Sequence, residues 1–335
     1  MTLGYGGNLI WTGVIKEIHL QDKIKPVVCL KPNASDLLFG ALFDRYSSLE
    51  SDPIFIHNPR LLFTEPPKNV KPFHLRWVDL FFSFLIYPKF LNRSYENLIF
   101  KWAEAKYKKG GLRLIHIDMR IHSYAQSESN RRIIWKSGGH ATQIIAKRFG
   151  VKCQNPDCEL TFTSNEVSFI HALIKENKFE RFIVIDPNTN QDWFGDLRSW
   201  PLSHWQKLID ILAQDFPDVK VIQIGLISGK PLKNVIDFRG RTNFRQAALL
   251  MKKSLCFIGT EGGLMHAARA VKACAIILWG GVTSPDFAGY PLSQKTICKF
   301  VGCAPCGNLG WCDNDHICMK TIEVEEVYKE LCVLL

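Results

Sequence analysis

The sequence lacks the marks of several protein classes. Only 23 Gly and 16 Pro occur among 335 residues, too few for a collagen-like or low-complexity linker chain. No apolar run approaches the ~20 residues that span a bilayer. The longest, LFFSFLIY at Leu80–Tyr87, sits between Arg76 and Asp79 on one side and Lys89 on the other. The opening MTLGYGGNLIW has no basic stretch followed by an apolar core, the pattern of a secretory leader. A cytoplasmic location is therefore expected. No internal repeat is visible, and the cysteine count, 11, is odd, which fits no closed disulfide framework.

What is present is globular. Hydrophobic residues make up 47% and charged residues 22%, which excludes disorder, and the length suits two domains. Lys and Arg total 42 against 32 Asp and Glu, a formal charge of +10. Such an excess suits a phosphorylated ligand, a nucleic acid or a membrane surface, and charge sign does not choose among them.

Strand and helix patterns alternate along the chain. In the first half, residues 8–20 form a helical pattern with Ile10, Val14 and Ile18 on one face. Strands are predicted at 27–30, 53–56 and 112–117, and a helix capped by Ser35 carries Leu38 and Leu42. Helices are predicted over 140–149, ending at Gly150, and over 164–177. The polar run ENKFER at 176–181 is the candidate linker. Beyond it, strands at 182–185, 219–224, 255–258 and 275–278 alternate with helices. These helices include one capped by Ser203, one over 244–253 and one over 264–271. The last carries Glu323, Glu325 and Glu326 at its start and Val324, Val327, Leu331 and Leu334 on its core face. Continuous apolar strands between helices imply parallel sheets covered on both faces. Two Rossmann-like domains facing a central cleft are expected, 1–177 and 178–335. Ligands then belong beyond the carboxyl ends of the strands.

Four stretches carry chemistry. IGTEGGLMHAA at 258–268 reads as a strand, a tight turn and a helix start. The amides of Gly262 and Gly263, the Thr260 hydroxyl and the His266 ring can then meet an anion. DPNTNQDWFGDLRSW at 186–200 follows a buried strand and offers Asn188, Thr189 and the fixed charge of Arg198. GYGGNL at 4–9 lacks the strand, the third glycine and the acid of a dinucleotide fingerprint, so it reads as a close backbone approach to a ligand or helix. CAPCGNLGWCDNDHIC at 303–318 supplies Cys303, Cys306, Cys312 and Cys318, enough thiolates for tetrahedral zinc or iron. Cys153 and Cys158 bracket a predicted Asn-Pro-Asp turn and are expected to be free.

Taken in order, these stretches resemble glycosyltransferase family 9, the heptosyltransferase family. The likeness is best over 181–327 and weaker but collinear over 4–150. Thr260–Ala268 matches the family's Asp-Ser/Thr-Gly-x-x-His-x-Ala run, LWGGVTSP at 278–285 its Gly-x-Thr-x-Pro turn, and Gly6–Thr12 its Gly-Asp-x-x-x-x-Thr segment. The late cysteines and the Gly-Gly-Asn start also resemble relatives that glycosylate autotransporter proteins and carry a four-cysteine iron finger. The resemblance implies a GT-B fold and inverting transfer of a sugar, often heptose from ADP-heptose, to lipopolysaccharide core or to protein. The first domain would face the acceptor, with Gly6, Gly7 and Asn8 in its loop. The second would bind the nucleotide-sugar through Asn188, Thr189, Arg198, Thr260, Glu261, Gly262, Gly263 and His266. Two positions depart from the family pattern: its usual base, an Asp, is Gly7 here, and the Asp before Ser/Thr-Gly is Thr260, with Glu261 beside it.

Sugar transfer needs a base for the acceptor proton and cations or N–H dipoles for the leaving diphosphate. Asp118, just after a predicted strand, is the first candidate base, and His122 the next. Arg198 and the 262–266 turn serve the diphosphate, so no divalent metal is expected in catalysis, whereas a structural zinc or iron is expected at the cysteines. Leu80–Tyr87, with His74, Arg76, Lys89 and Arg93 around it, is either a core helix or a peripheral contact with the inner membrane. Two other readings remain open. One is a sugar-nucleotide binder without activity, supported by Gly7. The other is a zinc-knuckle nucleic-acid binder, which lacks the aromatic-plus-basic strand signature of RNA readers, so no nucleic acid is expected.

Overall fold

A computed structural model describes residues 4–29, 52–61, 105, 108, 113–116, 128–187, 195–227, 231–308 and 310–335. The Ser35-capped helix and Leu80–Tyr87 lie outside them. Helix α1 (Tyr5–Asp22) buries Leu9, Ile10, Trp11, Val14, Ile15 and Ile18, so it is apolar over most of its girth, as suits a central helix. It ends where Lys23 turns left-handed at φ 59° and returns its N–H to His19. The glycines at 6 and 7, expected in a loop, lie in its first turns.

Strand β1 (Val27–Cys29) pairs in parallel with β2 (Leu114–His116), Val28 opposite Ile115. The strand predicted at 53–56 is a turn. Asp52 Oδ1 accepts the Ile54 N–H at 2.8 Å, and its carbonyl accepts those of Phe55 and Ile56 at 3.2 and 2.9 Å. An Asp-Pro pair closes the chain on itself in this way, and four apolar-rich residues do not outweigh it.

Helix α2 (Glu128–Ser137) precedes α3 (Ala141–Arg148), which His140 and Gln143 cap reciprocally. Helix α4 (Ser164–Glu176) starts from a Thr163–Glu166 capping box, one residue before the expected cap. Then come β3 (Phe182–Asp186), a 3₁₀ turn at Gly195–Arg198 and α5 (Leu202–Asp215). Pro201 stands at the N-cap of α5, ahead of the predicted Ser203, while Trp205, Leu208, Ile209 and Leu212 are buried as expected. The rest alternates: β4 (Lys220–Gln223), β5 (Ile236–Asp237), α6 (Phe244–Lys253), β6 (Phe257–Thr260), α7 (Gly263–Ala270) and β7 (Ala275–Trp279). After them come α8 (Pro285–Ala288), β8 (Lys295–Cys298), α9 (Ile317–Lys320) and α10 (Val324–Cys332).

β3 to β8 form one parallel sheet in the order β5-β4-β3-β6-β7-β8. Alternate residues face opposite sides. Ile183, Ile185, Ile258, Ile276 and Leu278 pack beneath α5 and α10. Val184, Ile222, Phe257, Ile277 and Trp279 join a cluster that includes residues of α6, α7, α1 and α3. This cluster runs across the expected boundary at 177/178. Val324, Val327 and Leu331 of α10 are buried, but Leu334 lies beyond the helix end and is 37% exposed.

Candidate active site

The sheet order places a switch point between β3 and β6. From β3 the chain winds outward to β4 and β5, and from β6 it winds the other way, to β7 and β8. The loops above the two strands diverge there and leave a crevice. Arg198, at the end of the 3₁₀ turn that follows β3, reaches across it. Its Nη1 donates to the Glu261 carbonyl at 3.0 Å and lies 3.7 Å from Glu261 Oε1. A Cβ built on Gly262 would be 3.6 Å from that nitrogen, so the guanidinium covers the turn that opens α7. Helix α7 points its unpaired amides into the same space. Burial pushes the Glu261 carboxyl above the usual range, and the Arg198 charge acts against it. Thr260 stands half-buried at the end of β6.

His266 is buried. Its Nδ1 lies 2.8 Å from the Tyr290 hydroxyl, and its carbonyl accepts from Cys158 Sγ at 3.1 Å. The ring edge abuts α1: a Cβ on Gly6 would sit 2.9 Å from His266 Cδ2 and 3.3 Å from Gly263 Cα. Gly6 thus allows the amino-terminal turns of α1 and α7 to touch, the close approach expected of GYGGNL. Tyr5 adds a ring contact with Phe244 at 4.6 Å.

Asn8 is buried in the first turns of α1 and donates from Nδ2 to Asp52 Oδ2 at 3.4 Å. Burial holds the Asp52 carboxyl above its ordinary range, against the pull of the Ile54 and Phe55 amides. A carboxylate therefore stands within one side chain's reach of α1 near Gly7, although Gly7 itself carries none. Arg245 holds the turn in place. It donates from Nη1 to the Pro53 carbonyl at 2.7 Å, from Nε to Glu166 Oε1 at 2.6 Å and also to the Thr161 carbonyl. Reading the sequence missed Asp52 and Arg245. The Asp-Pro pair was the available signal for the turn, and nothing local marks Arg245.

The structure thus gathers Gly6, Arg198, Glu261, Gly262, Gly263 and His266, with Gly7, Asn8 and Asp52 at the adjoining end of α1. Asn188, Thr189, Asp118 and His122 lie outside the described residues.

The four late cysteines line one cavity of about 140 Å³ together with Gly281 and Trp311. Their loop is pinned to the turn after β7 by the Cys306 N–H on the Gly281 carbonyl at 2.7 Å. Arg131 Nε holds it from α2 through the Gly307 carbonyl at 2.9 Å. Burial raises the Cys306 and Cys318 thiols, and the neighbouring cysteines add to it. Four sulfurs around one space are a donor set suited to zinc or iron. Their placement is open: among the described residues no three His, Cys, Asp or Glu side chains are grouped closely enough to hold an ion. Cys153 and Cys158 are free, as expected, and burial pushes the Cys158 thiol up to about 12. Among the described residues no helix is long and apolar enough to cross a membrane.

The sheet is a doubly wound parallel α/β sheet with an arginine over a glycine turn at its switch point. The sequence profile of glycosyltransferase family 9 (heptosyltransferase) matches residues 128–309, more than half of the chain, and the chain belongs to that family. It is 31% identical over 122 residues to lipooligosaccharide heptosyltransferase 2 of Haemophilus influenzae, a match covering 32% of this chain and 34% of that protein. The chain spans about a third of the length of the curated relatives it matches. The E. coli ADP-heptose lps heptosyltransferase II structure aligns with a TM-score of 0.42 at 21% identity, over 54% of this chain and 55% of that one. The bacterial iron-containing dodecameric glycosyltransferase TibC from enterotoxigenic E. coli aligns with a TM-score of 0.42 at 15% identity, over 59% and 53%.

Proposed function

We propose that the chain is an inverting glycosyltransferase that moves a sugar, a heptose, from a nucleoside-diphosphate donor such as ADP-heptose to a lipopolysaccharide-core or protein acceptor. The Arg198 guanidinium over the opening turn of α7 carries the reading. A fixed cation and a helix amino terminus in one crevice stabilise the charge that develops on a departing diphosphate. The amides of Gly262 and Gly263 complete the cradle. His266, held by Tyr290, fixes how the turn meets α1.

The acceptor hydroxyl needs a base. Asp52 supports this role by position, at the adjoining end of α1, and by chemistry, because burial raises its proton affinity above that of an ordinary carboxylate. Asp118 and His122 stand as the alternative bases. Cys303, Cys306, Cys312 and Cys318 would hold a structural zinc or iron, which would cross-link their loop beneath Gly281. The domain roles follow the same reading, residues 1–177 toward the acceptor and 178–335 toward the donor.

Titration calorimetry with ADP tests the donor site. Arg198→Ala should weaken binding by about 2 kcal/mol, roughly thirty-fold, because a phosphate oxygen loses a charge-assisted partner. Equal affinity in wild type and variant, with both folded by circular dichroism, removes Arg198 from the site. A second reading, binding without turnover, draws on Gly7 in the place of the family's base. Product formation from a nucleotide-sugar decides between the two.

A further inference from the structure

Two cysteines lie away from the site, at the opposite end of the sheet. β6 and β7 run in parallel with Phe257 opposite Ala275 and Thr260 opposite Leu278. Cys256 and Cys274, the residues immediately before this ladder, are therefore cross-strand neighbours. The Phe257 N–H binds the Cys274 carbonyl at 2.9 Å and locks the register at that step. Adjacent strands lie ~4.8 Å apart, inside the ~4.4–6.8 Å range of Cα separations that a disulfide bridges. The Cys256 thiol, which donates to the Phe257 carbonyl at 3.4 Å, and the Cys274 thiol are electrostatic neighbours. Their surroundings differ: Cys256 is 0% exposed in the core beneath α5 and α10, whereas Cys274 faces solvent.

We propose that Cys256 and Cys274 form a thiol–disulfide exchange site, in which exposed Cys274 attacks a small-molecule disulfide of the glutathione class and buried Cys256 resolves the adduct. In the first step the Cys274 thiolate forms a bond to one sulfur of the oxidant and expels the other as a thiolate. In the second, the Cys256 thiol gives up its proton, and its sulfur attacks the Cys274 sulfur of the mixed disulfide. That step expels the second small thiolate, which takes the proton. Two protein thiols are oxidised to one disulfide, and one small disulfide is reduced to two thiols.

The division of labour follows from the pair. The neighbouring Cys256 thiol brings the Cys274 thiol down despite partial burial, while Cys274 and burial push that of Cys256 up. An accessible, acidic thiol beside a second thiol is the arrangement that reacts reversibly with oxidants. The product would staple β6 to β7 at their starts. The far end of β6 leads directly into Glu261 of the crevice.

Native full-length protein incubated with oxidised glutathione, quenched with N-ethylmaleimide and digested with trypsin tests the assignment. Cleavage after Lys253, Arg269, Lys272 and Lys295 isolates residues 254–269 and 273–295, each with a single cysteine. A cross-linked pair of these peptides is expected in the wild type, and glutathionylated 273–295 alone in Cys256→Ala. Persistent glutathione on Cys274 of the wild type without the cross-link overturns the proposal, as does an unmodified Cys274 while other thiols react. Alkylation kinetics add a second readout. Because Cys256 favours the Cys274 thiolate, alkylation of Cys274 should slow in Cys256→Ala, and an unchanged rate in a folded variant refutes the pairing. The wild-type peptide map decides alone if that variant does not fold.

Discussion

Glu166→Gln should destabilise the protein at neutral pH and do so by less than half as much at pH 3. The Glu166 carboxylate receives Arg245 Nε at 2.6 Å and Nη2 at 3.0 Å, and also the Thr163 N–H at 2.8 Å. The Arg245 bonds, with those from Thr163, hold the carboxyl down to about 2 from an ordinary 4.5. That difference corresponds to about 3 kcal/mol. The glutamate side chain is 27% exposed, and solvent screening brings the expected loss to about 2 kcal/mol. A depressed carboxyl stabilises the fold above its unfolded value of 4.5 and loses that effect as pH falls toward 2. Glutamine keeps a polar partner for the cap but does not titrate. Urea denaturation at pH 7 should therefore separate wild type and variant by about 2 kcal/mol, and at pH 3 by less than half of that. A difference that does not change with pH refutes the reasoning. Because Arg245 also holds the Pro53 carbonyl, the same variant should loosen the turn that carries Asp52.

Gly6→Ala should cost about 1–3 kcal/mol, seen as a lowered thermal midpoint, because its methyl would press on His266 Cδ2 at 2.9 Å and Gly263 Cα at 3.3 Å. Tyr290 fixes the His266 ring, and Gly263 is backbone, so neither yields cheaply. Asp52→Asn should slow turnover by about 10²–10⁴-fold and leave ADP affinity unchanged, since proton transfer belongs to the transition state. If Asp118→Asn produces that loss and Asp52→Asn does not, Asp118 is the base. Elemental analysis of protein purified under reducing conditions should find about one zinc or iron per chain, falling in Cys306→Ser. Neither metal, with all four thiols alkylated in the native state, removes the metal site.

Local patterns make much of the second half legible. The runs FIVI and AIILW are apolar enough to be buried on both faces of a parallel sheet, and the Gly262–Gly263 pair before LMHAA marks where a strand turns into a helix. The edge strands Ile236–Asp237 and Lys295–Cys298 are not legible, because an edge needs only a short and partly exposed run. Spacing also shows the four late cysteines, three in the loop after β8 and Cys318 in α9. Other features exist only through pairing of distant segments. Asp52 meets Asn8 across 44 positions, and Arg245 meets Glu166 across 79. Cys256 faces Cys274 because β6 and β7 take one register and no other. Sequence by itself settles where the backbone can pair and which residues leave water, since propensity and hydrophobicity act residue by residue. Which charged and nucleophilic groups then meet is decided by the packing of α1 and the 52–61 turn on the sheet domain. That packing is a sum of contacts between elements far apart in the chain, and it leaves no periodic trace in any one of them.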